Sequence, residues 1–255
     1  MNRMANSVRK RGPAQTVAFS SVMCALLLTA QFVLSFVPGV ELVTALLLAF
    51  CYFFGRRCGV LTATAFSLLR CFIFGFVPNV IVLYLIYYNA FALFFGWLGR
   101  RGRPVAAWVC PAALVVLAGA ALAAALFDIP VSVLDAARLK GMAWALFAVM
   151  CALLVLYALL LVRGERGRQA AALAALAALC TVCFTLLDDV IAPLFYGMSA
   201  QVAFAYFGAS FLAMLPQTIC AAVSVLILFP VFARIFAGRM QKSPANIGRM
   251  YKDMV

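Results

Sequence analysis

Histidine is missing from all 255 residues, which removes the commonest general base and the commonest metal ligand together. Charge is scarce as well, at 11% of residues, and only seven side chains are acidic. A water-soluble globule of this length keeps a much larger charged surface, so that class is excluded. No G-x-x-x-x-G-K-[ST] stretch occurs, and ATP binding by a P-loop is excluded with it. What the chain has instead is apolar sequence, 68% of it, which identifies a membrane protein. Nine cysteines lie mostly inside the apolar stretches. Cys180 and Cys183 in "LCTVCF" have helical spacing but neither a second pair nor a histidine, so they read as small packing residues, and no metal or cofactor is expected.

A helix crosses the hydrocarbon with about 20 apolar residues, fewer where long side chains snorkel. On that measure, spans are expected near 16–37, 41–55, 59–76, 80–99, 105–127, 141–162, 170–191 and 209–234, eight crossings in one all-helical membrane domain. The first is longer than the roughly 7–15 residues of a signal-peptide core and reads as a retained anchor. The chain then divides into a basic tail (1–15), four helices (16–103), two more (104–163), a final pair (169–236) and a second basic tail (237–255).

Basic residues orient such a bundle, because they accumulate on the cytoplasmic side. With both termini inside, seventeen of the twenty Lys and Arg fall in the tails or in inner connections, and only Arg70, Arg138 and Lys140 do not. Glu41, Asp128, Asp135, Asp188 and Asp189 fall on the opposite side. The net charge of +13 is thus a topology signal of a multi-pass protein of the cytoplasmic membrane, and nucleic acid need not be invoked. The near-repeat "FVPGV" at 36–40 and "FVPNV" at 76–80 fits the same scheme. Two crossings separate the copies, so both become outer turns in which a proline starts the next helix without wasting a donor.

Polar groups in membrane helices are costly and cluster in cavities. Here the outer half holds Glu41, Arg70, Asn79, Asp188 and Gln217, with Tyr84, Tyr87, Tyr88 and Asn89 running inward along the fourth helix. That set suits a pocket in which aromatic faces hold a small organic ligand and a few polar groups orient it. Arg70, expected about two turns inside its helix, calls for an outer carboxylate or a ligand anion. Tyr84, Tyr87 and Asn89 cannot all face one way on a regular helix. In the first helix, Ala18, Ser21 and Ala25 form a small-residue stripe that lets another helix approach closely, whether within the bundle or from a partner.

The stretches "FVPGVELVTALLLAFCYFFGRRCG", "GFVPNVIVLYLIYYNAFALFFGWLGRR" and "LFYGMSAQVAFAYFGASFLAMLPQTICAAVSVLILFPVFARI" resemble the substrate-binding S components of energy-coupling factor (ECF) transporters over about 15–103 and 169–236. The resemblance implies capture of a vitamin or similar nutrient at the outer face. It also implies docking through the first helix, with Ser21 and Ala25 at the family's small-residue motif, onto a transmembrane coupling subunit driven by two ABC ATPases. The family has six helices and usually alanine at both motif positions. Residues 104–163 would therefore be a two-helix insertion into that core, and Ser21 departs from the pattern. Two other classes compete with this non-enzymatic reading. One is a membrane-embedded enzyme using the outer acidic residues, although neighbouring Asp188 and Asp189 point about 100° apart on a helix. The other is a non-transporting assembly subunit.

Overall fold

The computed structural model describes residues 12–37, 39–101, 103–126, 136–161 and 164–240. Most of both tails, Pro38, Gly102, Asp128, Asp135 and Arg163 lie outside the described residues. Among those described, all regular structure is helical: α1 (Pro13–Leu34), α2 (Val43–Phe54), α3 (Arg56–Phe74), α4 (Pro78–Arg101), α5 (Arg103–Leu126), α6 (Ala136–Leu161), α7 (Gly164–Tyr196) and α8 (Ala200–Met240).

Five of the eight are long and apolar enough to cross a membrane: α1, α3, α4, Gln169–Tyr196 of α7 and Ala200–Phe236 of α8. Eight helices thus stand where eight crossings are expected, and among the described residues five of them meet the length and hydropathy requirement. The twelve residues of α2 reach about 18 Å, against a hydrocarbon layer of about 30 Å. This short helix lies at the centre of the bundle. Val43 through Cys51 are all buried, and α2 packs on α1, α3, α4, α7 and α8, so it meets protein on every side rather than lipid.

Gly55 alone separates α2 from α3, with φ +85° and ψ 176°, a conformation essentially restricted to glycine. The two outer pentapeptides diverge. Pro78 begins α4 as expected, whereas after Pro38 the chain turns through Gly39 at φ +81° and α2 starts only at Val43. Asn79 continues a helix where Gly39 breaks away from one, so the second residue of each Pro-Gly or Pro-Asn pair decides the path.

Helices α5 and α6 pack on each other and against α7. With α2, α4 and α8 they surround α7, whose alanine-rich Ala170 through Leu179 are all buried. The last helix is far longer than its expected span. Forty-one residues give about 60 Å, with Pro216 and Pro230 inside it. By contrast α1 buries only Ser20, Met23, Cys24 and Leu27, against α2 and α3, and leaves Ala18, Ser21 and Ala25 exposed.

Candidate functional site

At one end of the bundle the α1–α2 connection lies against α8. The Glu41 backbone N–H donates to Cys220 Sγ at 3.3 Å. A Cβ on Gly39 would stand 2.9 Å from Cβ of Pro216, so glycine is required there by both space and φ. Glu41 then turns its carboxylate inward, where Oε1 accepts from Thr44 Oγ1 at 2.8 Å. Burial raises the Glu41 carboxyl from its ordinary value, and the Thr44 hydroxyl opposes that shift.

Behind this connection is a cavity of about 10 Å³, lined by Glu41 and Thr44, by Tyr87 and Tyr88 of α4, by Thr181 and Phe184 of α7, and by Gln217 of α8. It has room for about one water. Its aromatic wall follows from the 84, 87, 88 spacing, which places three rings on one side of α4. Tyr84 and Tyr87 both meet Phe184, with ring centres 5.7 and 4.9 Å away, and Tyr84 lies 5.0 Å from Tyr88. Tyr87 Oη donates to the Cys180 carbonyl at 2.9 Å, which fixes that ring against α7.

Of the candidates, Glu41, Tyr87 and Gln217 line the cavity. Tyr84 packs on Tyr88 and Phe184 of its lining, and Arg70 lies against Tyr84. The Arg70 guanidinium carbon lies 4.4 Å from the centre of the Tyr84 ring and 4.8 Å from that of Phe74. Because α3 ends at Phe74, Arg70 is one turn from the helix end, nearer the rim than the two turns expected.

The other candidates lie apart from the cavity and join helices to one another. Asn79 is buried and accepts from Tyr196 Oη at 2.9 Å. Asn89 faces α3, where its Oδ1 accepts from Thr64 Oγ1 at 2.9 Å while its Nδ2 donates to the Leu85 carbonyl at 2.8 Å. Asp188 accepts from Tyr206 Oη at 2.6 Å, and Asp189 accepts from Ser210 Oγ, two clasps between α7 and α8. Asp188 Oδ2 and Asp189 Oδ1 thus bond different side chains of α8, while Asp189 Oδ2 is buried without a hydrogen-bond partner.

Sequence reasoning missed Gln31, Thr44, Thr181 and Phe184. Gln31 Nε2 donates to Tyr84 Oη at 3.1 Å. A lone amide in "LLLTAQFVL" was a usable signal, since such groups rarely occur in apolar helices without a partner. The threonines gave no signal, because a hydroxyl can satisfy its own helix, as Thr181 does through the Ala177 carbonyl.

No family model, no curated protein and no solved structure matches the chain.

Proposed function

We propose that the chain is the substrate-capture subunit of an ECF-type importer of a vitamin-like nutrient, with both termini cytoplasmic and the Glu41 end of the bundle outside. The observation that carries this reading is the cavity, where helices from both parts of the proposed core supply aromatic walls and polar groups. Among the described residues none of α5 or α6 lines it, in keeping with an insertion outside the site. At about 10 Å³ the cavity is the floor of the site. Capture of a larger molecule requires the Gly39–Leu42 connection to part from α8, where Gly39 meets Pro216 and Glu41 meets the Cys220 thiol. Energy comes from a coupling subunit and two ATPases, and the exposed Ala18, Ser21 and Ala25 offer the docking stripe.

Mass spectrometry of the small molecules that co-purify from cells grown in rich medium tests the reading, followed by calorimetric titration with the compound found. Glu41→Ala and Gln217→Ala are expected to weaken its binding by about tenfold or more, equivalent to about 1.4 kcal/mol, while the protein still inserts and purifies. Turnover of the compound would favour the membrane enzyme instead. Absence of any bound compound would favour the assembly subunit.

A further inference from the structure

Arg70 is held without a counter-ion. Among the described residues no carboxylate lies within ion-pairing distance of it, and its Nε is buried with no acceptor. Phe74 and Tyr84 hold the guanidinium through their ring faces, which fixes its position but satisfies none of its N–H donors. A buried donor left unmade is costly, and structures rarely retain one without a use. A second orphan belongs to the same place. Gln31 is tied to the Tyr84 hydroxyl through Nε2, and its Oε1 is buried with no donor. Helices α1 and α3 thus bring an unmet acceptor and an unmet cationic donor to one tyrosine, whose ring abuts the cavity wall at Tyr88.

We infer that Arg70 and Gln31 form an anion subsite, and that the captured molecule is an organic oxyanion, a carboxylate or phosphate carrying an O–H or N–H donor close to the charge. The oxyanion accepts from the planar guanidinium, whose fork matches it, and the neighbouring donor is received by Gln31 Oε1. The aromatic wall at Tyr84 and Tyr88 then takes the organic body. The inference rests on the capture reading and narrows its ligand class. A phospholipid headgroup offers the same oxyanion at the membrane surface, so the test separates the two sources.

Wild type, Arg70→Gln and Arg70→Lys are reconstituted in nanodiscs of phosphatidylcholine alone or with phosphatidylglycerol, incubated with the low-molecular-mass fraction of yeast extract, washed, and analysed by mass spectrometry. Wild type is expected to retain a compound that is anionic at neutral pH in both lipid compositions. Arg70→Gln should retain about tenfold less of it, with Arg70→Lys between the two, since it keeps the charge and loses the fork. Arg70→Lys also serves as the folded comparison should Arg70→Gln fail to insert, and full retention by Arg70→Lys would then overturn the fork. Retention of a neutral or cationic compound, or equal retention by Arg70→Gln, overturns the subsite and leaves the capture reading standing. Enrichment of phosphatidylglycerol alone, lost in Arg70→Gln, assigns the cation to lipid and overturns the inference. If wild type retains neither, the capture reading fails, and the subsite with it.

Discussion

Asn89 and Gln217 are both amides set in apolar helices, and the bundle uses them differently. Gln217 reaches the cavity, whereas Asn89 spends its oxygen on Thr64 and its amide on its own helix. Interhelical hydrogen bonds in membrane proteins contribute about 0.6 kcal/mol on average. Asn89→Ala should therefore lower the thermal midpoint of the purified protein slightly and leave ligand retention unchanged, both measured on one detergent preparation. Loss of retention at unchanged stability would move Asn89 into the site.

At the scale of the element, α1 leaves most of its length outside the core. It buries four residues, and Val22, between Ser21 and Ala25, is 71% exposed. Alanines of α7 show the alternative fate of small residues, since Ala170 through Ala178 are enclosed by neighbours. Leucine substitution on an exposed stripe costs the isolated protein little, yet it prevents a second helix from approaching closely. Ser21→Leu and Ala25→Leu are expected to abolish cellular uptake while binding to the purified subunit stays near wild type. A parallel fall in binding and uptake would make the stripe part of the subunit's own packing.

For the whole molecule, the proposed orientation rests on charge. The connections and tails that it places inside carry seventeen of twenty basic residues, and a bundle inserted the other way would place them against the positive-inside rule. In a background without the nine native cysteines, a cysteine at Phe76 should react with an impermeant maleimide on intact cells, and one at Gly102 only after permeabilisation. Phe76 is 69% exposed and tolerates the change, whereas a side chain at Gly39 would strike Pro216. The reverse labelling pattern would invert the topology.

Composition and spacing by themselves determined that the chain is a helical membrane protein, because apolar runs of this length have no other stable form in lipid. They also located Pro78 at a helix start and placed Tyr84, Tyr87 and Tyr88 along one helix, since both depend on neighbours in the chain. Tertiary structure decided what no local pattern encodes. It made α2 a short, buried central helix, because burial depends on what surrounds a helix and not on its own residues. It assigned Asn79, Asn89 and Asp188 to helix-joining bonds and gave Gln31 to Tyr84, from 53 positions away. Among the described residues it also left Arg70 without a carboxylate, because Glu41, Asp188 and Asp189 each bond another side chain, and the direction of a side chain is fixed only by packing.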